Sequence, residues 1–486
     1  MLSRLLPILK RFADGLAAIA SARVQSNVYI AATYSLATIL SLLIFLLVGL
    51  RLVEQTNQDS LGSDQGAYIR LAQEQQAAWY PFATDGSRNG FISWITAKIS
   101  DPTSDTFFIS AKRTNIAVAA LITLGMAIYF GLQLPALTAW NLTILSGFGA
   151  LLGIGSFFGG EVLLYGSFFG FWVSAIRFLQ KPAVTPALFT AFFAAASYLA
   201  KPSVGPALQM LFVFCIAIIF LAFFPGWSRR FFNPKDWFYK KSLAPLLVLF
   251  VLFFVLTAPR AWDSWKKFDT PFYNIGKYTF WLDDWDSGYH YLGLFRKDRI
   301  MEVDESIRPT PQSYFARNGF SGAWKRLQTG VSTRLQQFFL PEKKVKLFAP
   351  ERKGEHRVLL THRGFYISLL FCTLLALGAS GIIFKTLPAV SIWCTPALYA
   401  GGCFFAYLLA FGWFLPVGPG HRFMMMFYIP LAWTAVVASD MVARSFNKKE
   451  PLALLALTQL FITMLLVSRL WVLRMTPQFG EIRFTF

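Results

Sequence analysis

The residues best suited to chemistry lie in one polar interval, Leu52 to Arg113, between the first two apolar stretches of the chain. Within it, Asp64 is followed four residues later by Tyr68, and Arg88 comes further along. A carboxylate can accept a proton, and an arginine can hold an anion such as a phosphate through its bidentate fork. The interval is therefore the first candidate for a functional site, and the rest of the chain is expected to be its scaffold.

The composition is that of an integral membrane protein. Of 486 residues, 55% are hydrophobic and 14% are charged, and the mean hydropathy is +0.49. Repeated apolar runs of about 20 residues are what it takes to cross a hydrocarbon core of roughly 30 Å. The net charge of +20 comes largely from Lys and Arg at the ends of these runs, which indicates membrane orientation and contact with anionic lipid rather than nucleic acid.

Cysteine and histidine give no sign of a metal site. All four cysteines lie inside apolar segments, the four histidines are scattered along the chain, and no HExxH sequence occurs. Cysteine in such a setting behaves as a small hydrophobic residue. The sequence therefore predicts neither a disulfide framework nor a zinc-dependent hydrolase.

Apolar periodicity predicts an all-α polytopic membrane protein with about 11 transmembrane helices. The predicted spans are 28–50, 114–131, 136–156, 159–178, 183–199, 203–224, 243–259, 364–384, 388–412, 423–443 and 451–471. The short loops that carry Lys and Arg all fall on the same predicted side as the N-terminus, so the positive-inside rule places that side in the cytoplasm.

These spans divide the chain into four parts. Residues 1–27 form a basic amphipathic leader, and 28–259 form an N-terminal transmembrane module with an amphipathic first outside loop at 51–113. Residues 260–363 form a large outside loop, long enough for a mixed soluble subdomain, and 364–486 form a C-terminal transmembrane module.

The first loop is expected to contain an amphipathic helix that starts at Ser63 or Asp64. Residues at helical spacing that form its apolar face, with one polar interruption, are Ala67, Tyr68, Leu71, Ala72, Gln75 and Trp79. Such a helix would lie in the membrane interface, with Trp79 and Tyr80 at the level of the headgroups. A plainer interpretation of Asp64 is that it only caps this helix.

Three further polar residues have both a functional and a structural interpretation. Arg88 could bind a phosphate or anchor the loop to lipid headgroups. Glu161 opens an apolar span, where a carboxylate is costly, so it either has a role in the site or pairs with Lys201 to stabilise the bundle. Asp85 either lines a path for an acceptor or is a solvated loop residue.

Four short motifs occur in order along the chain: DQGAY at Asp64–Tyr68, RNGFISW at Arg88–Trp94, YLAKPSVGP at Tyr198–Pro206 and HRFMMMFYIP at His421–Pro430. Together they resemble the GT-C superfamily of polyprenyl-phosphate-sugar glycosyltransferases, which includes protein O-mannosyltransferases, aminoarabinose transferases and RgtA/B/C/D-like enzymes. The order of loops also resembles that of the family. Gln65-Gly66-Ala67 and Asn89-Gly90 depart from the aminoarabinose subgroup, so its donor and acceptor are not inherited.

The resemblance implies transfer of a sugar from a polyprenyl phosphate, with inversion, on the outer side of the plasma (bacterial inner) membrane. It implies that Asp64 is the general base and that Arg88, Lys201 and Arg422 bind the donor phosphate. The acceptor would be a lipid, a polysaccharide or a protein. No cofactor is expected, with a divalent cation at the donor left open.

Other residues are candidates for binding the sugar or the acceptor. They are Tyr68, Asp85, Glu161, Trp281, Trp285 and His421. The two tryptophans alternate with Asp283, Asp284 and Asp286, which could form either a sugar platform or a tight turn with solvated acids.

Three other functions remain open on the sequence. One is an O-antigen-ligase-like enzyme that uses a diphosphate-linked donor, with His356, His362 and Arg363 in the large loop. Another is a transporter or lipid flippase, for which charged residues at mid-span and inverted repeats are expected. The third is a membrane subunit without catalysis.

Overall fold

The structure is a computed structural model of the chain, and it describes residues 2–56, 58–60, 64–224, 237, 239–284, 304, 308–339, 390–418, 421–445 and 449–475. Within these residues the chain is helical, with two isolated β-bridges and no β-strand. The prediction of an all-α membrane protein is confirmed at this level.

Long apolar runs interrupted by Pro and Gly divide the chain into helices. Those of the first half are α1 (Leu2–Ser21), α2 (Val28–Gln55), α3 (Gln65–Glu74), α4 (Phe91–Ile99), α5 (Phe107–Gln133), α6 (Ala136–Ile144), α7 (Leu152–Gly155), α8 (Glu161–Gln180), α9 (Val184–Ala200) and α10 (Gly205–Ala222). Those of the second half are α11 (Tyr239–Phe268), α12 (Gly276–Thr279), α13 (Pro311–Phe339), α14 (Val390–Trp413), α15 (His421–Met424), α16 (Tyr428–Ser445) and α17 (Lys449–Met475). A π-helical turn, Leu145–Leu151, joins α6 to α7.

Six helical stretches are long and apolar enough to cross a membrane. They are Val28–Gln55, Phe107–Gln133, Ala136–Gly155, Glu161–Gln180, Pro202–Ala222 and Ser242–Phe268. Four other predicted spans coincide with shorter apolar helical stretches: Val184–Ala200, Leu398–Trp413, Met425–Val437 and Pro451–Phe461. The predicted span at 364–384 lies outside the described residues, so the total of eleven stays a prediction.

The bundle has a central helix and an apolar outer surface. Helix α8 lies in its interior and packs against α9, α5, α14 and α16, whereas α2, α10 and α11 lie at the edge. Large apolar side chains on these outer helices are exposed, among them Leu47, Phe220 and Val255. Exposed apolar surface of this extent is what a helix bundle presents to lipid.

The first loop, residues 56–106, connects the C-terminus of α2 to the N-terminus of α5. We call the end of the bundle that carries this loop the loop end. Thr56 Oγ1 donates to Ser156 Oγ at 3.1 Å, and Tyr80 Oη donates to the Leu256 carbonyl at 2.6 Å. The first loop is therefore hydrogen-bonded to the residue that follows α7 and to a residue within α11.

Helix α3 is shorter than predicted and packs differently. It ends at Glu74, so Trp79 lies beyond it, with 84% of its surface exposed. Its apolar face, which includes Tyr68 and Leu71, packs against α4, α5 and Phe158 within the protein. Neighbouring helices therefore cover the apolar face of α3.

The described residues of the large second loop are also helical. Helix α13 packs along α14, and Gly330 and Gly412 come so close that neither position has room for a side chain. Arg326 donates to the Trp413 carbonyl at 2.8 Å and fastens the two helices further. In this part of the loop the predicted mixed subdomain is helix and turn.

Candidate functional site

Asp64 lies at the N-cap position of α3, but its side chain does not cap the helix. No capping hydrogen bond is made by its carboxylate, whose Oδ1 instead accepts a 2.5 Å hydrogen bond from Arg88 Nη2. The residue is 8% exposed. The plain N-cap interpretation therefore does not describe what this carboxylate contacts.

Arg88 lies between two carboxylates on the turn that connects to α4. Its Nη1 donates to Asp85 Oδ2 at 3.0 Å, while Asp85 Oδ1 accepts the backbone N–H groups of Ser87 and Arg88 at 2.9 and 2.7 Å. Burial lowers the pKa of Arg88, but the charges of Asp64 and Asp85 outweigh it and leave the pKa raised. Arg88 is thus a fixed cation inside the site, and its contacts are with protein carboxylates.

One N–H group of the Arg88 guanidinium makes no hydrogen bond with the described residues. Arg88 Nε is buried and has no hydrogen-bond partner among the described residues. The great majority of buried polar atoms in folded proteins do have one. An anion bound beside Arg88 would accept a hydrogen bond from this N–H group.

A second ion pair lies next to the first loop. Glu161 is the first residue of α8 and Lys201 is the C-cap of α9, and the two form a buried salt bridge. Lys201 Nζ also lies 5.2 Å from the centre of the Phe423 ring, on the helix that begins with His421 and Arg422. This contact matches one of the two interpretations of Glu161 that the sequence left open, its pairing with Lys201.

Tyr68 lies close enough to both ion pairs for their charges to act on its hydroxyl. It is fully buried, and burial, followed by the charges of Glu161 and Asp64, raises its pKa well above the usual value, while Arg88 acts in the opposite direction. Its hydroxyl lies near the backbone of Gly160, which lowers the pKa slightly, but it makes no hydrogen bond of normal geometry with the described residues. Both carboxylates therefore act on one neutral phenol.

Close backbone packing brings Tyr68 to the second pair. A side chain at Gly160 would lie 3.0 Å from Tyr68 Oη and closer still to the Ala200 carbonyl. Gln65 strengthens the contact, because its Oε1 accepts the Phe158 N–H at 3.1 Å. The sequence analysis assigned no role to Gln65 or to Gly160.

Other candidates lie elsewhere or are not described. The side chains of His421 and Arg422, and the whole of Trp285, lie outside the described residues. Trp281 packs on Trp413 and Tyr314 at ring distances of 5.5 and 6.2 Å. Its ring is thus part of an aromatic cluster between the large loop and α14.

The acids beside Trp281 are engaged in part by the protein. Asp283 accepts hydrogen bonds from Arg317 and Asn318 on α13, at 3.0 and 2.8 Å. That contact fits neither the sugar platform nor the turn with solvated acids, because Asp283 is bound by side chains of α13. Arg70, the arginine of α3, is exposed.

The sequence analysis missed a cluster of charges at the end of α11. Asp263 accepts the Thr84 N–H at 3.1 Å and pairs with Lys267 at 2.9 Å, and Arg260 donates to Asn89 at 3.0 Å. The available signal was the spacing of residues 260, 263 and 267, which places three charged residues on one face of a helix just after the apolar stretch 243–259.

In the part of the chain that the structure describes, no group of three or more His, Cys, Asp or Glu could hold a metal ion. The site that the structure assembles is therefore two ion pairs around a buried phenol, on the loop end of the bundle.

Comparison with models of known families, with curated proteins and with solved structures finds no match for this chain.

Proposed function

We propose that this protein is a membrane glycosyltransferase that moves a sugar from a polyprenyl phosphate to an acceptor hydroxyl or amine. One observation supports the proposal most directly. Arg88 Nε and Tyr68 Oη are buried without partners in the described structure, beside the carboxylates of Asp64 and Glu161. A ligand with an anionic part and several hydroxyl groups, as a sugar phosphate has, would satisfy both atoms.

In the proposed reaction, Asp64 takes the proton of the acceptor. The acceptor oxygen or nitrogen forms a bond with the anomeric carbon while the bond from that carbon to the phosphate oxygen breaks. The polyprenyl phosphate leaves with the electron pair, and attack from the opposite face inverts the anomeric centre. A carboxylate with an ordinary pKa of about 4 is a weak base. Most of the rate enhancement would therefore come from positioning the reactants and from stabilising the leaving phosphate.

Arg88 is proposed to bind that phosphate, together with Lys201 and Arg422. In the structure Arg88 is bound to Asp64 and Asp85. A donor phosphate that approaches the guanidinium competes with Asp64 for it. Binding of the donor would therefore weaken the salt bridge between Arg88 and Asp64. The Asp64 carboxylate would then be available to accept the proton of the acceptor.

Exposed tryptophans near the site support a lipid-linked donor. Trp79, Trp262 and Trp265 are more than half exposed, and all three lie near the loop end of the bundle. Exposed tryptophan is enriched at the membrane interface. Their position supports a site at the level of headgroups, where the phosphate of a polyprenyl lipid lies.

Basic residues at the far ends of two helices support an outward-facing site. Arg177 and Arg444 lie at the ends of α8 and α16, opposite to the loop end. The positive-inside rule would put these ends in the cytoplasm and the proposed site on the outer side. This orientation belongs to the proposal and can be tested by labelling single cysteines from either side.

The decisive experiment incubates the purified protein in lipid nanodiscs with a panel of polyprenyl-monophosphate sugars and candidate acceptors. Mass spectrometry of the products detects the transferred sugar, and empty nanodiscs are the control. Transfer from a monophosphate donor is the expected result. Transfer only from diphosphate donors would favour a ligase, and movement of intact lipid between leaflets without transfer would favour a flippase.

A further inference from the structure

A second set of side chains holds the turn that carries Arg88. This turn, residues 84–89, is closed by an antiparallel bridge between Thr84 and Asn89. Gly86 stands at φ +83, a conformation that favours glycine, and its carbonyl accepts the Ile275 N–H at 2.8 Å. The turn is therefore held both internally and by the segment after α11.

Arg260 reaches this turn from the end of α11. It is 1% exposed, its Nε donates to Asn89 Oδ1 at 3.0 Å, and its Nη2 donates to the Tyr273 carbonyl at 3.0 Å. A weaker contact of 3.4 Å joins Nη2 to Thr84 Oγ1. One buried guanidinium thus contacts both ends of the turn and the segment behind it.

Asn89 continues the chain of contacts to α9. Its Nδ2 donates to the Tyr198 carbonyl at 2.5 Å, and the Arg260 guanidinium lies 5.3 Å from the centre of the Tyr198 ring. Tyr198 is three residues before Lys201. Arg88 is the immediate neighbour of Asn89, so a single asparagine joins the backbones that carry the two proposed phosphate ligands.

We propose that Arg260 and Asn89 are positioning residues that set the placement of Arg88 relative to Lys201. Neither residue touches the ion pairs directly. Arg260 fixes the amide of Asn89, and the amide fixes the turn against the end of α9. This proposal deepens the proposed function and rests on it where turnover is concerned, but the geometry it describes can be measured without a substrate.

The first test is amide hydrogen exchange of the purified protein. In the wild type, Gly90 N–H donates to the Ala83 carbonyl at 2.9 Å and Asp85 N–H to the Arg88 carbonyl at 3.3 Å. Arg260→Met is expected to raise exchange across residues 84–90 about tenfold or more and to leave the amides of α8 unchanged. Unchanged exchange in the turn would overturn the proposal. Asn89→Ala serves as a second variant if Arg260→Met does not fold.

The matched control is Arg444→Met. Arg444 also joins two helices, because it pairs with Asp440 at 2.8 Å and donates to the Ala20 carbonyl at 3.4 Å, but it lies at the opposite end of the bundle. This variant is expected to leave the exchange of residues 84–90 as in the wild type. Equal acceleration in Arg444→Met and Arg260→Met would mean general loosening and would overturn the positioning role.

The second test uses turnover of a lipid-linked sugar. Arg260→Met and Asn89→Ala are each expected to lower kcat/KM by about 10- to 100-fold, the size of effect produced by misplacing reacting groups by about 1 Å. The double variant should lose no more than the stronger single variant, because the two residues act in series. Arg260→Lys should recover part of the loss.

The two tests separate the two proposals. If the wild type transfers no sugar from any donor, the proposed function fails, and the exchange experiment still decides whether Arg260 fixes the turn. If transfer occurs but the two losses in kcat/KM multiply, Arg260 and Asn89 act independently and the positioning role is overturned.

Discussion

Arg88 Nη2 donates to Asp64 Oδ1 at 2.5 Å, across 24 residues of the first loop. The same guanidinium is fixed by Asp85, whose Oδ1 also accepts two backbone N–H groups of the turn. The carboxylate proposed as the base and the cation proposed to bind the leaving phosphate are therefore held against each other, on helix α3 and on the turn that precedes α4. The predictions below test what this pairing and its neighbours do.

Asp64→Asn is expected to lower turnover of a polyprenyl-phosphate sugar by about 10²- to 10⁴-fold, the usual contribution of a general base. The amide keeps the shape of the side chain but accepts no proton. The matched control is Asp105→Asn, an exposed carboxylate in the same loop. Near-normal turnover of the Asp64 variant would remove the assignment of this residue as base.

Arg88→Lys is expected to raise the KM for the donor and to weaken the fold. Lysine acts as a point charge and cannot reproduce the fork that contacts Asp64 and Asp85 together. Donor-dependent kinetics and thermal unfolding in nanodiscs measure the two effects. Arg70→Lys, at an exposed arginine of α3, should change neither. Equal kinetics of the two variants would contradict a role of Arg88 in binding the phosphate.

Glu161→Gln is expected to destabilise the protein by about 3–5 kcal/mol, because it leaves the buried ammonium of Lys201 without its carboxylate. Replacing both, as Glu161→Gln with Lys201→Met, should restore much of that loss, since no buried charge then remains. Chemical unfolding of the single and double variants gives the coupling between them. Additive losses would mean that the salt bridge contributes little to the fold.

Tyr68→Phe is expected to leave the free energy of unfolding unchanged or to raise it by about 1 kcal/mol. The variant removes a buried hydroxyl that has no partner among the described residues, and such a group costs about 1–3 kcal/mol to bury. Turnover should nevertheless fall if the hydroxyl binds the sugar or the acceptor. A clear loss of stability would instead indicate that the hydroxyl supports the fold.

The pH dependence of turnover should not depend on Tyr68. Burial and the charges of Glu161 and Asp64 raise its pKa above the usual value of about 10, so the phenol stays protonated as the pH rises from about 6 to 9. The profile of kcat/KM against pH should therefore have the same shape in the wild type and in Tyr68→Phe. Loss of an alkaline limb in the variant would mean that Tyr68 titrates in this range.

Local pattern was enough to predict the class of fold and to select the candidate residues of the first loop. Long apolar runs predict membrane helices because crossing the hydrocarbon requires them. The polar interval between the first two runs pointed to Asp64 and Arg88, and a carboxylate at the start of an apolar span pointed to a partner for Glu161. Each inference used only neighbouring residues and the cost of placing a charge near lipid.

The pattern of apolar residues was misleading where an apolar helix face could contact either the membrane interface or other helices. The apolar face of α3 predicted an amphipathic helix in the membrane interface, yet Leu71 and Ala72 on this face pack against α4 and α5. Periodicity identifies an apolar face but not what covers it. The same limit explains why Trp79 was placed on a helix that ends five residues earlier.

The sequence by itself determined that this is a helical membrane protein with acidic and basic residues gathered between its first two spans. Only the tertiary structure decided that Arg88 binds Asp64, that Lys201 binds Glu161 and that Arg260 holds the turn through Asn89. The physical reason is distance along the chain. Arg260 and Asn89 are 171 residues apart, and such contacts depend on how whole helices pack, which no local pattern of residues records.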